Sequence, residues 1–247
     1  MSDVCRRGSL AVLIGLSLSC GGECVPDVIE RAKQPGRNYL SRQEFERNWF
    51  SFTEAEKETP SPWSLVDLPE ESTTGPVLVC RGKPDGYLRT TEILEEYSLQ
   101  LEWRFPEDPH GNSGILLHVS DEDKVWPESI QVQLHTPSVG SVFPSSGAET
   151  RTILNPPPNL KIDPKAWNQC RILSHEGVLR ISVNDIWVGD VKGCQPDRGH
   201  VALQSEGSEV HFRNLEIRPL TDEERRTLSE SNPERSRKKS RKPKRRG

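Results

Sequence analysis

The sequence is short of the residues that build large apolar surfaces. Of 247 residues, 32% are apolar and 6% aromatic, with one Met and three Tyr. No run reaches the roughly 20 apolar residues of a spanning helix, which excludes a polytopic membrane protein. No C-x-x-C pair exists, so a zinc or thioredoxin-type site lacks sequence support. There is no internal repeat, heptad pattern, Gly-X-Y period or dense cysteine framework. Those absences exclude a coiled coil, a collagen-like chain and a disulfide scaffold. What is abundant is charge and turn chemistry, with 28% charged residues, 20 Pro and 18 Gly. Such a composition assigns part of the length to tail, linker and long loops.

Net charge is −4, but it is unevenly spread. Residues 232–247 carry nine Lys/Arg and one Glu, so the other 231 residues sum to −12. The segment from Thr221 to Gly247 has few apolar residues and ends SRKKSRKPKRRG. It predicts a disordered basic tail over 221–247. Such a tail offers electrostatic attachment to an anionic polymer or membrane surface; a solvated tail without a specific partner is the plainer reading. It has no interleaved aromatics for stacking on bases, and no specific nucleic acid is expected as a partner.

The other end reads as an export signal over residues 1–20. Arg6 and Arg7 precede the 11-residue apolar stretch SLAVLIGLSLS, Ser9 to Ser19. That length suits a signal h-region and is short for a bilayer. Cys20 is a lipidation candidate, although Leu18 stands two residues before it and Ser17 occupies the third. The expected location is therefore outside the cytoplasm, periplasmic or at the cell envelope, with a lipid anchor at Cys20 as an option. Cys5, Cys20 and Cys24 lie in or beside this segment; Cys80, Cys170 and Cys194 lie in the body. The body cysteines allow either one disulfide plus a thiol, or three buried thiols.

Residues 21–47 read as a linker or extension. The helix-like segment runs from about Val28 to Glu58 and contains SRQEFERNWFSFTEAEK, where Ser41 and Glu44 fit a capping box; Thr59–Pro62 end it. From Trp63 onward short apolar runs alternate with Gly, Pro, Asn and Asp clusters. About ten such strands, with no long helix between them, predict an all-β antiparallel sandwich or barrel. Asn184-Asp185 in VNDIWV marks a hairpin tip.

Alternation assigns faces. Leu99, Leu101 and Trp103 oppose Gln100, Glu102 and Arg104. Ile115, Leu117 and Val119 alternate with Leu116 and His118. Ile130, Val132 and Leu134 oppose Gln131, Gln133 and His135, and Val201 and Leu203 oppose His200, Ala202 and Gln204. The outward sets are rich in Arg, His and Gln, whose planar polar groups suit hydrogen bonds to neutral hydroxyls. Trp126 and Trp187 add flat stacking surfaces. The pattern predicts a carbohydrate-binding face.

Five motifs in order sharpen this reading: VLVCRGKPDGYLRT (77–90), YSLQLEWRF (97–105), GNSGILLHV (111–119), WPESIQVQL (126–134) and LQSEGSEVHFRNLEIRPL (203–220). Together they resemble the 3-keto-disaccharide hydrolase domain family of bacterial, largely exported proteins, over residues 48–220. The resemblance implies a concanavalin/laminin-G-like jelly roll of two antiparallel sheets with a sugar cleft on the concave sheet. It also implies cleavage of glycosides oxidised at C3. The C3 ketone acidifies the C2 proton, so a base can form an enediolate that expels the glycosidic oxygen at C1. A base, an enolate stabiliser and a leaving-group acid are then required. A divalent metal could polarise the ketone and its neighbouring hydroxyl.

The residues expected to carry these roles are named with their plainer alternatives. His118 is the expected base or metal ligand, or a satisfied sheet histidine. Arg104 is the expected oxyanion stabiliser, or a surface ion pair with Glu102. Asn112 would hold sugar hydroxyls or shape a turn. Gln131, Gln133, His135, Gln204 and Glu206 would contact substrate, with Glu206 alternatively capping a turn. One departure matters: where the family commonly has Glu-x-Gln, this chain has Gln131-Val132-Gln133. An amide is no base, so a non-catalytic carbohydrate-binding module of the same fold stands as the alternative. A two-carboxylate glycosidase is disfavoured, because no strand carries an E-x-D-x-x-E-type arrangement.

Overall fold

A computed structural model describes residues 36–54, 59–69 and 75–231. The export signal, Cys20 and the basic run 232–247 lie outside these residues. Two antiparallel sheets stack face to face. The eight-stranded sheet contains β1 (Arg37–Asn38), β3 (Trp63–Val66), β4 (Val77–Cys80), β6 (Tyr97–Arg104), β10 (Asn168–His175), β11 (Val178–Val183), β12 (Ile186–Lys192) and β14 (Val210–Arg218). Its order is β12-β11-β10-β6-β14-β4-β3, with β1 also paired to β14. The six-stranded sheet contains β2 (Trp49–Thr53), β5 (Gly86–Thr90), β7 (Gly114–Val119), β8 (Ser129–Gln133), β9 (Val142–Ser145) and β13 (His200–Ser205). Its order is β2-β5-β13-β7-β8-β9. This is the expected jelly-roll sandwich.

The period-2 pattern explains the core. Leu99, Leu101, Trp103, Ile172 and Phe212 from one sheet meet Leu88, Ile115, Leu117, Ile130, Val132, Val201 and Leu203 from the other in one buried cluster. Each such side chain contributes roughly 1.5–3 kcal/mol on burial. Asn184 and Asp185, both at positive φ, form the tight β11–β12 turn. Cys80, Cys170 and Cys194 are three buried free thiols. Burial pushes them up to about 11, about 12 and about 12, so they behave as small apolar side chains rather than nucleophiles.

Both ends of the domain depart from expectation. The helix α1 (Arg42–Asn48) forms, with Ser41 accepting from the Glu44 amide at 3.4 Å. It stops at Trp49, where the chain extends into β2 and pairs with β5. Tyr39 and Leu40 are buried in the main core, and β1 is hydrogen-bonded to β14. The part of the 21–47 extension that is described is therefore integral to the sandwich. The predicted tail opens as a helix, α2 (Asp222–Glu230). Thr221 and Glu224 form a reciprocal capping box, and Arg218 grips Glu224 through two bonds of 2.9 and 2.6 Å. Leu228 is buried against Val178 and Leu220. One apolar anchor and a good cap suffice where composition suggested no order.

The third departure concerns β7. Ile115 and Leu117 face the core as predicted, but His118 has φ +56° and the β7–β13 register shifts between His200 and Ala202. This bulge reverses the alternation. His118 turns inward and is fully buried, while Val119 joins Tyr87, Leu116 and Ala202 on the outer face.

Candidate functional site

The outer face of the six-stranded sheet gathers most of the expected polar residues. Gln131 on β8 and Gln204 on β13 are nearly buried, and the Gln131 amide donates to Gln204 Oε1 at 3.4 Å. They approach across β7 because Gly114 lies between them. A Cβ there would stand 2.8 Å from Gln204 Oε1 and 3.0 Å from Gln131 Nε2. The Gly114→Ala substitution should therefore push the two flexible amides apart. Ligand affinity should fall about tenfold while stability changes by less than about 1 kcal/mol, read by calorimetric titration and thermal melting.

Asn112 and Glu206 continue the cluster at the strand ends. The β7–β13 register pairs Leu203 with Ile115, so continuing it sets Glu206 opposite Asn112. The Asn112 backbone donates to Ser208 Oγ at 3.1 Å, and Ser208 Oγ donates to Asp108 Oδ2 at 2.8 Å. Asn112 Oδ1 is buried and makes no hydrogen bond, which leaves an unsatisfied acceptor at this end of the cluster. Burial, with help from the Asp85 charge, holds the Glu206 carboxyl above its ordinary range, although Asn112 and Lys83 oppose the shift. A carboxyl so placed has raised proton affinity, which suits proton transfer.

Gln133 and His135 serve the strand exit. Gln133 Oε1 accepts from the His135 amide at 2.9 Å, and His135 precedes the 3-10 turn Thr136–Ser138. Two expected residues are elsewhere. His118 lies between the sheets, with Nδ1 3.0 Å from the Pro196 carbonyl and Nε2 3.1 Å from Ser174 Oγ on β10. The carbonyl only accepts, so Nδ1 carries the proton, while Nε2 lies against Ser174 Oγ, which also bonds the Glu95 carbonyl at 3.1 Å. Burial pushes this histidine down to about 4. Neither nitrogen faces the amide cluster.

Arg104 sits on the other sheet. Its guanidinium lies 4.5 Å from the Trp167 ring centroid and 3.5 Å from His211 Nδ1. Arg213 also covers Trp167, at 4.2 Å, and pairs with Glu102 at 2.7 Å. Alternation placed Arg104 outward correctly, but on the wrong sheet for the amide cluster. Trp187 is exposed on β12, the edge of that same sheet. Trp126 is exposed in the β7–β8 connection.

That connection brings in residues the motifs did not single out. Asp121 lies 2.9 Å from His200 Nε2, and Asp123 accepts from Tyr87 Oη at 2.9 Å. His200 Nδ1 lies 3.1 Å from the Glu92 carbonyl. Arg89 lies between the two pairs, 3.7 Å from Asp123 and 3.3 Å from His200 Nε2, and stacks 4.5 Å from Phe50. The hydrogen bond from His200 holds the Asp121 carboxyl below its ordinary range. Leu116, Val119, Ala202, Tyr87 and Phe52 form an apolar strip on this face, with Phe52 and Tyr87 stacked at 5.4 Å. The outward alternation of Tyr87 and Arg89 in GYLRT was the available signal for them.

The donor set of the amide cluster is one carboxylate and three neutral amides. Such a set suits polyol hydroxyls better than a transition-metal ion. Among the described residues, the one group of three His/Cys/Asp/Glu side chains with metal-ligand spacing is Glu96, His175 and Glu176, away from this face. A cavity of about 350 Å³ is also elsewhere, lined by Arg37, Glu92, Tyr97 and Arg218 among others.

Comparison with known proteins agrees with the architecture. The model of the 3-keto-alpha-glucoside-1,2-lyase-like domain matches residues 44–218. No curated protein matches the chain. Two crystal structures of candidate glycosyl hydrolases from Parabacteroides distasonis ATCC 8503 share the fold. The first is 18% identical with a TM-score of 0.51, covering 74% of this chain and 100% of its own. The second is 20% identical with a TM-score of 0.50, covering 70% and 99%. A galectin-like protein of unknown function from Bacillus subtilis, 8% identical, also superposes with a TM-score of 0.50, covering 73% of this chain and 92% of its own.

Proposed function

The chain belongs to the 3-keto-alpha-glucoside-1,2-lyase-like domain family, and from that membership we propose that it cleaves glycosides bearing a 3-keto sugar at the amide cluster. The carrying observation is Glu206, a carboxyl with raised proton affinity beside Asn112 on a face of neutral amides. In this reading Glu206 removes the C2 proton. The electron pair moves onto the C3 oxygen, and amide N–H groups of Gln131, Gln204 and Asn112 stabilise that enolate. Collapse of the enolate expels the C1 oxygen, which takes up a proton, and leaves a C1=C2 double bond. Water then adds to give the free 3-keto sugar if the outcome is hydrolysis.

The test is incubation of the purified chain with a 3-keto-glucoside and detection of released aglycone and unsaturated 3-keto product. Release at a rate proportional to protein concentration is expected. Gln131, standing where the family commonly has Glu, favours a second reading, a binding module without turnover. Binding of the glycoside with no product would select it.

The expected setting is outside the cytoplasm, on the strength of Arg6, Arg7 and the apolar run Ser9–Ser19. The intact mass of protein from the cell envelope should lack the residues before Cys20, with a diacylglyceryl increment if Cys20 is modified. A full-length mass would refute processing. The basic run at 232–247 is proposed as a contact for anionic polymers or lipid headgroups.

A further inference from the structure

At the end of the eight-stranded sheet, β6 begins beside the point where β10 ends. Ser174 pairs with Tyr97, so Glu96 and His175 are neighbours across the ladder. Glu176 occupies the turn to β11 at φ +47°, followed by Gly177 at φ +70°. The tight turn brings its carboxylate back towards the other two. The ligand atoms of Glu96, His175 and Glu176 all lie within 4.8 Å of one another.

The histidine is the informative member. His175 is only 7% exposed. Its Nε2 is 3.1 Å from Ser229 Oγ on α2. Its Nδ1 is buried and makes no hydrogen bond, although Glu96 Oε1 is 2.9 Å away. A nitrogen converging with two carboxylates, oriented through its other nitrogen by a hydroxyl, is the arrangement of a metal-ligating imidazole. Glu96 is 37% exposed and opens the cluster to solvent. Beside Glu96 stands Arg225, 3.4 Å away, itself 3.2 Å from Asp222.

We propose that Glu96, His175 and Glu176 form a site for a divalent transition-metal ion of the Zn²⁺ type, which clamps helix α2 to the sandwich. Two carboxylates balance the dication, the imidazole selects against Mg²⁺ and Ca²⁺, and a water completes the set. The clamp acts through Ser229, which holds the imidazole from the helix side. The site stands on the eight-stranded sheet, so its role is structural and independent of sugar chemistry.

The full chain, stripped with a chelator, is titrated with Zn²⁺ against a chromogenic competitor and with Co²⁺ as a spectroscopic probe. We expect one Zn²⁺ per chain and Co²⁺ d–d absorption without a thiolate charge-transfer band, which separates this site from Cys5, Cys20 and Cys24. Affinity should drop by about tenfold or more in Glu96→Gln and Glu176→Gln, and by roughly 10–100-fold in Ser229→Ala. Zn²⁺ should also slow proteolysis at α2. An absence of stoichiometric binding, binding unchanged in Glu96→Gln and Glu176→Gln, or a purely thiolate Co²⁺ spectrum would overturn the site. These isosteric variants keep the test valid even if His175→Ala fails to fold.

Discussion

Glu206→Gln is expected to cut turnover of a 3-keto-glucoside by about 10²–10⁴-fold, the usual contribution of a positioned general base. The amide keeps the shape and the contact with Asn112 but cannot accept the C2 proton. Stability should not fall. Burial raises the Glu206 pKa in the folded protein, so the ionised carboxylate is less favourable folded than unfolded, and its removal relieves that cost at neutral pH. The same shift sets the pH profile. The base must be ionised, so kcat/KM should decline as pH falls through the raised value, placing the acid limb above the ordinary 4.5 of a glutamate. A limb at or below 4.5 would assign the base elsewhere.

The second large effect concerns His118. A base on the substrate face would lose activity on truncation while the fold remained intact. His118 instead bridges the sheets through Pro196 and Ser174. His118→Ala removes both bonds and leaves a cavity, so a loss of about 3 kcal/mol at pH 7 is expected. The wild type should also weaken in acid. Burial pushes the folded histidine down to about 4, below its ordinary 6.5. As pH drops between those values, the unfolded chain takes up a proton that the folded one refuses, so stability declines with falling pH. The full difference amounts to about 3 kcal/mol below pH 4. Denaturant titrations from pH 7 to 4 should show this decline, and His118→Ala should lack that component. An unchanged midpoint in His118→Ala at pH 7 would refute the structural role.

The strands that carry the amides were legible because their alternation is regular. Gln131 and Gln204 face outward for the same reason that Val132 and Leu203 face inward. His118 was not legible, because a positive φ on a histidine leaves no local trace and one bulged residue inverts every face after it. Arg104 shows a different limit. Alternation reveals which side of a strand a residue occupies, but which sheet holds the strand depends on non-local pairing. Strand β2 was hidden because FERNWFSFT continues an amphipathic helical pattern past Asn48. Helix α2 was hidden because its burial rests on Leu228 amid charged residues. The Asp121–His200 and Asp123–Tyr87 contacts join segments about 80 and about 36 residues apart, beyond the reach of any local motif.

The most direct measurement is exchange of the C2 hydrogen of a 3-keto-glucoside with deuterated solvent, followed by NMR alongside product release. The account predicts protein-dependent loss of the C2 proton signal, reduced about 100-fold or more in Glu206→Gln and little changed in Arg104→Ala. Equal C2 exchange by Glu206→Gln and the wild type, or cleavage that leaves the C2 hydrogen in place, would contradict it.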